Sequence, residues 1–200
     1  MCPVPCSLLY VHGFKSSSHS YKARNLRCGL RNYSRDVGFD VPDLPYTPAE
    51  AIGLLTELIE TRLSSGGHLA LVGSSLGAFY ALYLANHFDL RSVLINPALR
   101  PDLLLPAYLG ENTNLYTGEV FVLHEEHIDQ LRALRVHQVR SPDRHLVLTQ
   151  SGDQTLDYRE ALSIMSNSPA WIQYGGSHDF DDFTKVHRAI FSFLKLPALV

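Results

Sequence analysis

The residues in this chain best suited to covalent chemistry are Gly73-Ser74-Ser75-Leu76-Gly77, a serine between two glycines in the spacing G-x-S-x-G. The apolar run Leu69-Ala70-Leu71-Val72 comes just before it, and a segment of helical character follows. A chain that turns from strand to helix this quickly holds the serine in a strained backbone, with its hydroxyl raised at the strand's carboxyl end. Glycine at 73 and 77 lets neighbouring backbone approach the turn without a Cβ clash. A helix starting at Leu76 then points free N–H groups and its positive end at the same spot. The plainer alternative is a glycine-lined turn in which Ser75 only caps the helix.

A serine hydroxyl is a weak nucleophile, so the chemical reading requires a base and a group to orient it. In a strand-turn-helix arrangement these follow in the order serine, acid, histidine, on loops after later strands. Among ten histidines, His178 is selected by position, because it follows the apolar run Trp171–Tyr174 in the loop Gly175-Gly176-Ser177-His178-Asp179-Phe180. Its plainer role is a surface or helix-capping histidine. For the acid, Asp153 stands three residues past the run His145–Gln150 and is favoured; Asp157, a turn later, is the alternative and could simply cap the next helix. Asp179 is a poor choice beside His178, and Asp181 and Asp182 suit the first turn of a last helix. The oxyanion of an attacked carbonyl needs two donors. The N–H of Leu76 supplies one, and the N–H of Phe14 in Val11-His12-Gly13-Phe14 the other. His12 and Lys15 read as structural or solvent-facing.

These groups need a scaffold. Apolar runs at Leu8–Val11, Leu69–Val72, Val93–Ile95, Leu146–Thr149 and Trp171–Tyr174 are short and continuous, as in strands buried on both faces; Phe39–Val41 is a weaker sixth. Thr47-Pro48-Ala49-Glu50 predicts a capped helix start, with Ile52, Leu55, Ile59 and Leu63 on one face and Gly66-Gly67 as the stop. Further helices are expected over Leu76–Asn86, Asp157–Ser166 and Asp181–Leu194. Alternating helices and buried strands predict an α/β fold, a doubly wound and mostly parallel sheet of about six strands. Residues 101–139 break the rhythm and read as a small helical insertion, with a polar turn at Gly110–Asn114 and a helix near Glu125–Leu134. Such an insertion either covers the cleft or forms a plain surface helix pair.

At 200 residues, 46% apolar and 18% charged, the chain fits one globular domain, 1–200. A net charge of −3 without basic blocks argues against nucleic acid as the partner. No apolar run reaches the length of a membrane span, and the first residues lack the pattern of a signal peptide. Three cysteines, Cys2, Cys6 and Cys28, suit reduced thiols in a cytoplasmic protein. Cys2 and Cys6 have no second ligand pair for zinc, and His124-Glu125-Glu126-His127 departs from H-E-x-x-H, so no metal is expected.

Leu9-Tyr10-Val11-His12-Gly13-Phe14, Gly73-Ser74-Ser75-Leu76-Gly77, Gly152-Asp153 with Leu156-Asp157-Tyr158, and Gly176-Ser177-His178-Asp179-Phe180 together resemble the YqiA-like esterases of the α/β-hydrolase superfamily. Asn96-Pro97-Ala98 and Tyr116-Thr117-Gly118-Glu119 are similar to that family too, and the likeness runs from about Ser7 to Leu194. It implies a compact hydrolase of carboxylic esters, acyl-CoA thioesters included, with Ser75 as nucleophile, His178 as base and Asp153 as acid; Asp157 matches as well. Acylation of Ser75 and hydrolysis by activated water need no cofactor. The expected partner is a small acyl ester or thioester, with Phe14, Leu103–Tyr108 and Tyr116 as pocket candidates. A rival reading keeps the scaffold without turnover, binding a ligand or a protein partner.

Overall fold

The structure, a computed structural model, describes residues 6–198; of the Cys2–Cys6 leader only Cys6 lies within them. Along the chain run β1 (Cys6–Val11), α1 (Tyr21–Tyr33), β2 (Val37–Asp40), α2 (Pro48–Ser64), β3 (His68–Ser74), α3 (Leu76–Phe88) and β4 (Arg91–Ile95). After these come α4 (Pro101–Leu104), β5 (Gly110–Thr113), β6 (Val120–Leu123), α5 (Glu125–Ala133), β7 (His145–Gln150), α6 (Tyr158–Ile164), β8 (Ala170–Gln173) and α7 (His187–Phe193). Six strands form one parallel sheet in the order β2-β1-β3-β4-β7-β8.

Apolar residues pack on both faces of the inner strands. Leu9, Val11, Leu71, Leu94 and Val147 face α2, α3, α5 and α6, whereas Leu8, Tyr10, Val72, Val93 and Leu148 face α1 and α7. This two-sided packing makes the sheet doubly wound. The run at Trp171–Tyr174 differs from expectation: β8 is an edge strand, and Trp171 and Ile172 are about half exposed. A short apolar run alone does not tell an edge from the middle.

Local signals set the helix ends. Thr47 Oγ1 accepts the N–H of Glu50 and donates to the Glu50 carboxylate at 2.5 Å, with Pro48 in the first turn. Leu55 and Ile59 are fully buried, with Ile52 and Leu63 at the margin. The segment expected as one helix from Asp181 opens instead as a 3-10 turn, Phe183–Val186, and becomes α-helical at His187. Asp182 stands just before that turn without a side-chain capping bond and pairs with Lys185 instead, while Asp181 accepts the Ser177 hydroxyl of the preceding loop.

Between β4 and β7 the insertion holds the expected helix, α5, and also an antiparallel hairpin, β5–β6, where sequence suggested a polar turn. Asp102, with its side chain wholly buried, takes a two-pronged ion pair from Arg135 at 2.5 and 2.7 Å and ties the insertion's start to its end.

Candidate active site

The sheet order reverses at β1, whose chain neighbour β2 lies on one side and β3 on the other. Loops leaving β1 and β3 therefore diverge and open a crevice at the carboxyl edge. Val11 pairs with Gly73, which brings His12–Phe14 beside Ser74–Ser75.

Ser75 sits at the bend between β3 and α3 with φ 56° and ψ −123°, a conformation few residues other than glycine adopt. Its N–H donates to Ile95 O at 3.0 Å, and its carbonyl accepts from Ala78 and Ala98, so the strained backbone is held from several sides. The side chain makes no capping bond, unlike a serine that merely starts a helix. The glycines are required by close packing. A Cβ on Gly73 would lie 2.5 Å from Ala78 Cα, and one on Gly77 would lie 2.6 Å from the Val11 carbonyl carbon.

His178 Nε2 lies 3.2 Å from Ser75 Oγ, and His178 Nδ1 lies 2.8 Å from Asp153 Oδ2. The Asp153 side chain is 2% exposed, and its other oxygen accepts the N–H groups of Thr155 and Leu156. Burial alone would raise its pKa, but the His178 bond and the two backbone donors more than offset this and hold the carboxyl below its ordinary value. Asp157 lies apart: it caps α6 through the Arg159 N–H and is exposed. Asp179 points to solvent, with its carboxylate 3.8 Å from Lys22.

Two amides brace the His178 loop. The buried Gln150 side chain donates to Asp181 O and accepts from the N–H groups of Ser177 and Asp181. Asn96 donates to the carbonyls of Ser177 and His178 and accepts the Gln150 N–H. Sequence reasoning assigned neither a bracing role. The only hint was a polar residue ending each apolar run, at the edge where the loops begin.

The N–H of Leu76 belongs to the first turn of α3, where helical N–H groups have no intrahelical acceptor. Phe14 follows Gly13, whose Cα packs so closely on Ser75 that a Cβ there would stand 3.2 Å from Ser75 Cβ. His12 is structural, as expected: Nδ1 bonds Gly13 O and Nε2 accepts the Leu44 N–H, which fixes its tautomer. Burial lowers its pKa and favours this neutral ring. Lys15 is less idle than expected, because its Nζ lies over the Tyr108 and Phe14 rings.

A cavity of about 470 Å³ reaches Ser75 and His178 and is walled mainly by apolar residues, among them Phe14, Pro101, Leu104, Leu105, Tyr108 and Leu156. The insertion therefore lines the crevice. Of the sequence's pocket candidates, Leu103 points to solvent and Tyr116 lines a neighbouring, smaller cavity. Among the described residues no group of three or more His, Cys, Asp or Glu side chains is placed to hold a metal. His127 instead accepts the His124 N–H at the start of α5. No helix among those residues is long and apolar enough to cross a membrane.

A family model described as "Uncharacterised protein family (UPF0227)" matches residues 7–195. The chain belongs to this YqiA-like family. Solved structures share the fold at low identity. The esterase domain of a Rhodothermus marinus protein is 16% identical, with 96% of this chain and 88% of that one covered and a TM-score of 0.70. Est1E from Butyrivibrio proteoclasticus with bound ferulic acid is 13% identical, with 96% and 89% covered and a TM-score of 0.68. A monoacylglycerol lipase from Paleococcus ferrophilus is 15% identical, with 94% and 93% covered and a TM-score of 0.66. The fold of this family member is that of the α/β-hydrolases.

Proposed function

We propose that the protein is a serine hydrolase of carboxylic esters. The observation that carries this reading is the hydrogen-bonded series from Ser75 Oγ through the His178 ring to the buried Asp153 carboxylate. His178 Nε2 takes the Ser75 proton as the oxygen attacks the ester carbonyl. Asp153 holds the ring with Nδ1 protonated, so that Nε2 is the free base, and stabilises the imidazolium that forms. The N–H groups of Phe14 and Leu76 donate to the oxyanion. His178 returns the proton to the departing alkoxide, leaving Ser75 acylated. A water that gives its proton to Nε2 then attacks the acyl carbonyl, and collapse of that intermediate frees the carboxylic acid and restores Ser75.

The same steps serve an acyl-CoA thioester, with a thiolate leaving in place of the alkoxide. The apolar walls of the larger cavity suit an acyl chain. The names of the structural neighbours, an esterase domain, Est1E and a monoacylglycerol lipase, support ester hydrolysis on this fold. A scaffold that only binds would have no use for a strained serine aligned on a histidine–carboxylate pair. The test is hydrolysis of 4-nitrophenyl acetate: wild type turns over, and Ser75→Ala, folded by circular dichroism, does not. Activity of Ser75→Ala near that of wild type would contradict the reading.

A further inference from the structure

The smaller cavity of about 180 Å³ also meets Ser75 and His178, but the walls it does not share with the larger one are polar: Ser16, Ser20, Tyr21, Lys22, Tyr116 and Asp179 among them. Lys22 is the unusual member. Its side chain is only 12% exposed, and it stands in the first turn of α1, which holds no acidic residue. A cation buried at the positive end of a helix is placed against both desolvation and the dipole. Its nearby carboxylate compensates it weakly: Asp179 is 3.8 Å away and 94% exposed, free to turn into solvent. Burial pushes the Lys22 pKa below the ordinary lysine value, although Asp179 and Asp153 pull the other way. The second cation, Lys15, lines the same cavity with two aromatic faces as its partners.

We propose that this cavity is an anion subsite, in which Lys22, with Lys15, holds a carboxylate carried by the substrate beside the carbonyl that Ser75 attacks. The proposal rests on the ester-hydrolase reading of Ser75 and names its substrate class: esters bearing a negative charge within a few bonds of the scissile carbonyl. The cavity is too small for a long chain and suits a short carboxylate arm. When that arm enters, Asp179 yields Lys22 to it. A neutral ester leaves Lys22 with only the exposed Asp179 carboxylate at 3.8 Å and Lys15 with only its two aromatic faces.

The test gives the intact protein three ester substrates: neutral 4-nitrophenyl butyrate, 4-nitrophenyl hydrogen adipate with a carboxylate on the acyl side, and 3-carboxy-4-nitrophenyl butyrate with one on the leaving group. The quantity read is kcat/KM for each anionic ester divided by that for the neutral one. In Lys22→Met this ratio should fall on the order of tenfold for one anionic ester, as expected when a charged hydrogen-bond partner is lost. The ester that responds shows whether the charge belongs to the acid or to the leaving group. Asp179→Asn removes the competing carboxylate at an exposed position and should raise the same ratio severalfold; it decides the matter if Lys22→Met does not fold. Ratios unchanged for both anionic esters would overturn the subsite while leaving ester hydrolysis standing. Absence of Ser75-dependent hydrolysis of all three esters would overturn both.

Discussion

Asp153 and Asp157 are four residues apart in one loop, and their side chains meet opposite surroundings. Asp153 turns inward to His178 with two backbone donors behind it, whereas Asp157 turns outward to start α6. Replacing Asp153 with Asn keeps the shape but reverses the hydrogen bonding at Nδ1, so kcat for an activated ester should fall by about 10³–10⁴. Asp157→Asn, which still caps a helix, should leave kcat within about twofold, since Asn and Asp are comparable caps. Steady-state kinetics on the two purified variants checks both; equal losses would contradict the assignment. At this scale the sequence was informative where position sufficed. Ser75 was marked by its glycines, and His178 by following the last apolar run. The choice between Asp153 and Asp157 depends on a loop conformation that no spacing encodes. Gln150 and Asn96 were passed over as braces because each is one polar residue closing an apolar run, a pattern shared by strands with no site at all.

At the scale of elements, the bend between β3 and α3 tolerates no added atom, whereas the middle of α2 does. Gly77→Ala would drive a Cβ into the carbonyls of Val11 and His12 and should cost at least about 3 kcal/mol or prevent soluble expression. Gly53 lies on the exposed side of α2 with nothing within 4 Å of an added Cβ, so Gly53→Ala should stabilise by about 0.5–1 kcal/mol. Urea unfolding of the two variants measures the contrast. A second device joins β4 to β7, where buried His145 shares a 2.9 Å hydrogen bond with Ser92. Burial pushes the His145 pKa down to about 4. The unfolded chain, with the ordinary value near 6.5, binds the proton first, so this contribution is complete above about pH 6.5 and is lost as pH falls toward 4. Roughly 2–4 kcal/mol should go across that window, and His145→Asn should flatten the slope. Asp153, also held below its ordinary value, acts in the same direction at lower pH: its contribution is full above about pH 4 and is lost as pH falls further. The strands and α2 were legible because apolar runs and a capping box are local signals. The exposed face of β8 was not, because strand order is a property of the whole sheet.

For the molecule as a whole, the insertion at 101–139 decides what the crevice can hold. Its hairpin turn grips the loop after β1: the Leu115 N–H donates to Lys15 O, and the Asn114 amide to Ser16 O. Phe14 packs edge-on against both Tyr108 and Phe121. Leu104→Trp, which fills part of the larger cavity, should lower kcat/KM for octanoate esters at least about tenfold relative to acetate, since each methylene bound in an apolar pocket is worth roughly 1–3 kcal/mol. A chain-length series of 4-nitrophenyl esters shows this, and an equal loss at every length would point to misfolding instead of a filled pocket. The hairpin escaped sequence reading because Gly110–Asn114 is polar and short. It becomes a strand only by pairing with Val120–Leu123, whose alternate residues Phe121 and Leu123 are buried.

Activation of Ser75 by His178 underlies every catalytic step proposed above. Intact-mass and peptide analysis after treatment with a fluorophosphonate tests it most directly. One phosphonyl group per chain should be found, attached to Ser75, with labelling strongly slowed in His178→Ala. An unlabelled wild-type protein of demonstrated fold, or a label on another serine, would contradict it.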